Sequence, residues 1–176
     1  MPITFYGENG DERFRLNYFS DRPGIWTHGG DFAEQTIDQS FIIYGRADTV
    51  LNPGGVRIGT AEIYSVVEQI KEVKDSIVFG LPCDNDEEIV LCIVTDNLSK
   101  DLAQHIRQQI RSNASPRHVP RRIYQVDEIP HTINGKKVEG AVKKVAIGGD
   151  DVQNKASIRN PECLQSFTDI KTKECY

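Results

Sequence analysis

The stretch Ser76-Ile77-Val78-Phe79-Gly80-Leu81-Pro82-Cys83-Asp84-Asn85-Asp86-Glu87-Glu88-Ile89-Val90-Leu91-Cys92-Ile93-Val94-Thr95 decides how this chain folds. Two apolar runs, 76–81 and 87–95, flank a short polar turn, and that spacing predicts an antiparallel hairpin. The second run is apolar at consecutive positions, so the strand it forms is covered on both faces and central in its sheet.

Upstream, Ile63, Val66, Val67 and Ile70 recur at i, i+3, i+4 and i+7, one apolar face of a helix. Thr60 reads as its N-cap, with Glu62 in the first turn where the helix dipole favours a carboxylate. Short apolar runs at 41–44 and 56–59 predict strands on either side of the turn Asn52-Pro53-Gly54-Gly55. Downstream, Ser99 reads as the cap of a helix carrying Leu102, Ala103, Ile106 and Ile110, which Ser115-Pro116 stops. A third strand is expected over 121–126. A last helix is expected over about 137–147, with Val138, Ala141, Val142 and Val145 inward and Gly148-Gly149 closing it. Residues 46–148 thus read as an α+β domain of order β-α-β-β-α-β-α around a small three-stranded sheet. Residues 1–45 are rich in aromatics and glycine without a clear period and read as an irregular, β-containing edge of something larger. Residues 149–176 are mostly polar, with one short helix start at Asn160-Pro161-Glu162, and read as an attachment.

The 176 residues are 38% hydrophobic and 27% charged, an ordinary globular composition. No run of about 18 apolar residues predicts a membrane span. The first eight residues have no basic start and no long apolar core, so no secretory signal and a cytoplasmic location are expected. With 21 Lys and Arg against 26 Asp and Glu, net charge is −5, which argues against a nucleic-acid or anionic-membrane binder. The cysteines Cys83, Cys92, Cys163 and Cys175 form no Cys-x-x-Cys pair and the histidines are scattered, so reduced thiols and no metal site are expected. Cys92, inside an apolar run, reads as a buried thiol.

Four features have the makings of chemistry. Lys136 follows Asn134-Gly135 on a tight turn before a helix, a place where an ammonium can meet an anion. Arg46 and Asp48 flank Ala47 directly after a strand, and such a turn can hold a phosphate or a hydroxyl. Asp31 follows Thr27-His28-Gly29-Gly30, and a carboxylate on a glycine-rich turn can bind sugar hydroxyls. Residues 101–147 hold nine Lys and Arg against four Asp and Glu, a local basic field suited to polyphosphate. Taken singly, each also reads as something ordinary: a solvated lysine, a surface Arg–Asp pair, a turn aspartate, charge spread around helices. A phosphate loop, a dinucleotide fingerprint and a nucleophile elbow are all missing from the sequence.

Together the features resemble a family. Trp26-Thr27-His28-Gly29-Gly30-Asp31, then Tyr44-Gly45-Arg46-Ala47-Asp48 running on through Asn52-Pro53-Gly54-Gly55-Val56-Arg57-Ile58-Gly59-Thr60-Ala61-Glu62-Ile63, and last Ile129-Pro130-His131-Thr132-Ile133-Asn134-Gly135-Lys136-Lys137 occur in the order of the C-terminal end of adenylate-forming enzymes. This is the acyl-CoA synthetase superfamily. Tyr18-Phe19-Ser20, Ser115-Pro116-Arg117-His118-Val119-Pro120 and Arg159-Asn160-Pro161-Glu162-Cys163-Leu164 are similar to its acetoacetate-activating members.

The resemblance implies roles. Asp31 matches the aspartate that holds the ribose of ATP or AMP, and Arg46 a second nucleotide contact. Asp48 matches the hinge about which a C-terminal lid turns. Lys136 matches the lysine that bridges the acyl carboxylate and the α-phosphate. Gly55 and Arg57 match the strand lining the CoA channel, and Arg107 matches a CoA-phosphate contact. The implied substrates are acetoacetate, ATP and CoA, with Mg2+ in the full enzyme. The implied division is the end of an adenylation domain over 1–45, a lid over 46–148 with its hinge at 46–50, and a tail over 149–176. The resemblance spans nearly the whole chain but only the final quarter or so of such an enzyme, and Met1 falls where the family has an internal methionine. A fragment inactive alone is therefore expected, since the phosphate-gripping loop, the acyl pocket and most of the adenine site lie elsewhere. Tyr64 stands where the family motif has glutamate. The lid of another acyl-CoA synthetase, an orphan nucleotide- or partner-binding module, and a small RNA binder are the alternatives.

Overall fold

The computed structural model describes residues 3–20, 24, 31–46, 49–84, 86–149 and 155–176, without the side chains of Asn17, Asp31, Phe32, Tyr44 and Arg46. In chain order the elements are α1 (Gly10–Phe19), β1 (Asp31–Gln35), β2 (Phe41–Arg46), α2 (Thr60–Val67), β3 (Asp75–Cys83), β4 (Asp86–Val94), α3 (Lys100–Asn113), β5 (Arg122–Gln125) and α4 (Glu139–Ala146).

The hairpin forms as the apolar runs predict. β3 and β4 pair antiparallel from Asp75↔Val94 to Cys83↔Asp86, and β5 joins β4 in parallel, giving a sheet of order β3-β4-β5 with β4 central. Side-chain alternation then sorts the core. Ile77, Phe79, Leu81, Val90, Cys92 and Tyr124 face a layer made by α4 and the tail. Val78, Ile89, Leu91, Ile93 and Ile123 face α2 and α3. Six successive residues of β4 are buried, which is why its sequence shows no alternation.

The helices begin and end for local reasons. Ser99 caps α3 by accepting the Leu102 N–H at 3.1 Å, as expected. Thr60 is not a cap: Gly59 holds that position, and Thr60 is the first helical residue, turned inward and buried. Residues 56–59 form no strand. Only Leu51 and Ile58 pair, through two 2.9 Å bonds, because Gly54 (φ 59°) and Gly55 (φ 75°) wind the chain between them into a 3₁₀ turn, Pro53–Gly55.

Two further departures concern the ends. The aperiodic N-terminal run contains a helix, α1, which no apolar stripe announces. An aromatic cluster holds it, with Phe14 and Tyr18 5.2 Å apart, and Phe5 5.9 Å from Phe14. The polar tail is not a mere attachment, because Ile158, Leu164, Phe167 and Ile170 are buried in the same core as Phe79 and Val142. The last three are spaced by three residues, the period of the 3₁₀ turns they occupy.

Phe167 is fully buried. Phe167→Ala is expected to lower the stability of the chain by about 3–5 kcal/mol in urea unfolding. A loss under about 0.5 kcal/mol, ordinary for a surface site, would return the tail to the status of an attachment.

Candidate functional site

The lysine turn is built by clamps on both sides. His131 and Lys137 pair across it, the Thr132 N–H reaches the Lys136 carbonyl at 2.8 Å, and the Lys136 N–H reaches Thr132 Oγ1 at 3.0 Å. Gly135, at φ 78°, supplies the left-handed residue that lets the turn close. The tail grips the outer side: Ile133 N–H donates to the Ser157 carbonyl at 2.9 Å, and Arg159 N–H to the His131 carbonyl at 2.8 Å. Buried Asn160 accepts from the His131 N–H at 3.0 Å and donates to the Ile129 carbonyl at 3.0 Å. On this frame Lys136 stands exposed, its ammonium without a partner among the described residues.

Several other cations of the stretch are engaged, and the expected basic field is reduced by that much. Lys137 pairs with Glu68 at 2.7 Å, and Lys143 with Glu87 at 2.6 Å. Arg122 and Arg121 reach buried Glu88 at 3.0 and 3.5 Å. Four of the nine cations are thus neutralised by acids from α2, β3 and β4, segments outside 101–147 that a count within that window omits.

Arg107 departs furthest from its expected role. Its guanidinium donates to the carbonyls of Pro120 and Arg121, each at 3.1 Å, and to that of Tyr176. A group turned onto backbone carbonyls and partly buried is poorly placed to meet a CoA phosphate. Burial also lowers its pKa from the ordinary value.

The Gly55 turn is the second constructed feature. Asp86 accepts the Gly54 N–H at 2.7 Å and Glu87 the Asn52 N–H at 2.7 Å. The Gly54 N–H, and with it the Glu87 N–H at 2.7 Å, hold the Asp86 carboxyl below its usual range. Glu87 crosses the strand pair over Gly80, where a Cβ would lie 2.0 Å from the Glu87 carboxyl carbon. An open groove of about 500 Å³ runs beside the turn, bordered by Gly54, Gly55, Cys83, Asp84 and Arg121. Gly55 and Arg57 are both exposed.

Asp31 and Arg46 are register partners at one end of the β1–β2 hairpin. That is as much as the described residues say of them, and Asp48 lies outside those residues, as does the motif from Trp26 to Gly30.

Tyr64 ties these parts together. Its hydroxyl donates to Glu139 Oε1 at 2.8 Å and accepts the Val78 N–H at 3.0 Å, an edge-strand donor that would otherwise face solvent. Nearby, Glu62 meets His118 Nε2 at 2.8 Å, and His118 Nδ1 lies 2.8 Å from Ser115 Oγ, fixing the 115–120 loop to α2. The four cysteines are free, and burial pushes the Cys92 thiol far up. No described helix is long and apolar enough to cross a membrane.

Residues 62–136 match the family described as AMP-binding enzyme C-terminal domain. Over 97% of its length it is 43% identical to acetoacetyl-coenzyme A synthetase of Rhizobium meliloti (strain 1021) and 42% identical to acetoacetyl-CoA synthetase of Caenorhabditis elegans. Acetoacetyl-CoA synthetase from Streptomyces lividans superposes with a TM-score of 0.81 at 35% identity, again over 97% of this chain. The chain spans about a quarter of those relatives, 26%, 25% and 26% of their lengths respectively.

Burial, and secondly the Glu139 carboxylate, raise the Tyr64 phenol well above its ordinary value of about 10. A raised folded-state pKa contributes stability fully present below pH ~10 and lost as pH rises beyond it. The urea midpoint of the chain should therefore fall above pH ~10, and Tyr64→Phe should fall less over the same range. Parallel declines would show that Tyr64 is not the titrating anchor.

Proposed function

We propose that this chain is the C-terminal lid portion of an acyl-CoA ligase that converts acetoacetate, ATP and CoA to acetoacetyl-CoA, AMP and pyrophosphate. The observation that carries this reading is Lys136: an exposed ammonium without a partner among the described residues, on a turn clamped from both sides, beside a Lys137 that is paired. Identity of 43% to an acetoacetyl-CoA synthetase across nearly the whole chain supports the choice of acid.

In the first step a carboxylate oxygen of acetoacetate attacks the α-phosphorus of ATP, and pyrophosphate leaves with the electrons of the broken P–O bond. Two anions approach each other, so a fixed cation at the meeting point lowers the barrier, and Lys136 is that cation. Asp31 and Arg46 hold the nucleotide. In the second step the CoA sulfur attacks the acyl carbonyl and AMP departs. Gly55 and Arg57 line the approach. The acidic border of the adjoining groove suits the neutral, amide-bearing arm of CoA rather than its phosphates. Rotation about Asp48, within a hinge at 46–50, exchanges the two faces. Mg2+ enters as part of the ATP substrate. On this division 1–45 ends the adenylation domain, 46–148 is the lid and 149–176 the tail that supports it. Triphosphate grip and acyl pocket belong to the remaining three quarters of the enzyme.

The test is a graft. Residues 1–176 replace the matching segment of the Rhizobium meliloti enzyme, and acetoacetate-dependent ATP–pyrophosphate exchange and thioester formation are measured. The graft should perform both, and the isolated 176-residue chain should form no thioester. Lys136→Ala should slow exchange by about 10²–10³-fold, while thioester formation from supplied acetoacetyl-adenylate continues. A folded graft whose exchange ignores Lys136→Ala would sink the reading and leave an orphan module in its place.

A further inference from the structure

Lys137 sits beside Lys136 and shares none of its freedom. Its ammonium lies 4.0 Å from the centre of the Tyr64 ring, 2.7 Å from Glu68 Oε1, 3.5 Å from Asp75 Oδ1 and 3.4 Å from Ser76 Oγ. The side chain is only 18% exposed. A cation over an aromatic face with two carboxylates at its rim is held by attraction from three directions. Asp75 also lies 3.4 Å from His131 Nε2, so the residue that pairs with Lys137 across the turn meets the same carboxylate.

The backbone converts this anchoring into a direction for its neighbour. Along an extended segment successive side chains point to opposite sides. Lys137 turns inward onto the Tyr64 ring, and Glu139, the first residue of α4, reaches the hydroxyl of the same tyrosine. Lys136, one position earlier, is left facing outward. Without the inward anchor, nothing in the Thr132–Gly135 turn specifies where the flexible lysine stem aims, because both of its bonds to Lys136 use only the backbone N–H and carbonyl of Lys136.

We propose that Lys137, seated on Tyr64 between Glu68 and Asp75, is a positioning residue for Lys136 in the adenylation step. The inference rests on the reading of Lys136 given above and adds to it the reason the turn carries two adjacent lysines, of which only the first meets substrate. It also gives Tyr64 a purpose where the family motif has glutamate: an aromatic face is what seats the second lysine.

The experiment uses the same full-length graft. Lys137→Met keeps the apolar stem over the ring and removes the charge. Lys137→Arg keeps a cation able to stack on the ring. Lys137→Met should lower kcat for ATP–pyrophosphate exchange by about 10- to 100-fold, the scale of a small misplacement of a reacting group. KM for ATP and acetoacetate should change little. Thioester formation from supplied acetoacetyl-adenylate should match the parent graft, and Lys137→Arg should restore much of the exchange. Tyr64→Leu should behave like Lys137→Met, and Tyr64→Phe, which keeps the ring, should be milder.

Exchange unchanged in Lys137→Met, with Lys136→Ala still deeply impaired, would overturn the positioning role and leave the function intact. An equal fall in both half-reactions would mark Lys137 as a general packing residue and overturn it too. A neutral Lys136→Ala would remove the function and this proposal together.

Discussion

Everything in this structure hangs on β4 being covered on both sides. A central strand with six successive buried residues can be stable only if two separate layers pack against it. One layer is α2 and α3, with Leu51 and Ile58 anchoring the Gly55 turn beneath them. The other is α4 and the tail, whose residues 157–160 grip the lysine turn. The two candidate surfaces are thus by-products of one packing requirement: each layer brings one of them. Tyr64 joins the layers around the open edge of β3, bonding an edge N–H and the first turn of α4 at once. A phenol suits this crossing because it is long and rigid, apolar along its body and polar at its tip.

Charge in this molecule is arranged by subtraction. The chain is acidic overall, and its acids from α2, β3 and β4 reach across to neutralise cations carried by β5, the lysine turn and α4. Most of these pairs are partly exposed and each contributes little to stability. Their effect is selective: they remove competitors. At the lysine turn this leaves Lys136 without a partner among the described residues while the adjacent Lys137 is held, so the clamped turn offers an anion one ammonium rather than two. Glu88 is the exception in burial, at 5% side-chain exposure: Arg122 meets its Oε1 at 3.0 Å, while its buried Oε2 has Arg121 at 3.5 Å and no hydrogen bond from the described residues.

Much of this was legible beforehand. The hairpin, the central strand, the Ser99 cap and the helices of the core follow from apolar periodicity and capping chemistry, because those elements bury one continuous stripe each. What escaped did so for physical reasons. Helix α1 has no apolar stripe, and its support is aromatic, though the i, i+4 pair Phe14 and Tyr18 was a visible signal. The tail has period three rather than 3.6, so a search for α-helical spacing passes over Leu164, Phe167 and Ile170. Residues 56–59 have strand composition but follow two left-handed glycines, and a chain wound that way leaves a single bridge. Of the candidate site, the exposed turn position of Lys136 was legible from Asn134-Gly135. Its distinction from Lys137 was not, since it depends on Glu68, Tyr64 and Asp75, all more than sixty residues away. The bonds of Arg107 to the carbonyls of Pro120, Arg121 and Tyr176 were not legible, because a sequence does not say which way a guanidinium turns.

One consequence concerns how such a domain can serve two reactions. Glu87 accepts from Asn52 N–H on one side and from Lys143 on the other, so the same carboxylate links the Gly55 turn to the helix that follows the lysine turn. Gly80 leaves the passage it needs, since any side chain there would collide with it. The two surfaces are therefore fixed relative to each other by a short charged bridge, by Tyr64 and by the sheet between them. A body coupled in this way does not exchange one surface for the other by deforming, because packed interiors resist continuous distortion. Under the proposed reading it must turn as a unit, with the angular change taken up by a few residues at its entry. That places the conformational step outside the sheet and its layers, in the 46–50 segment. On the same reading the interior of the domain can be heavily cross-linked without opposing that rotation.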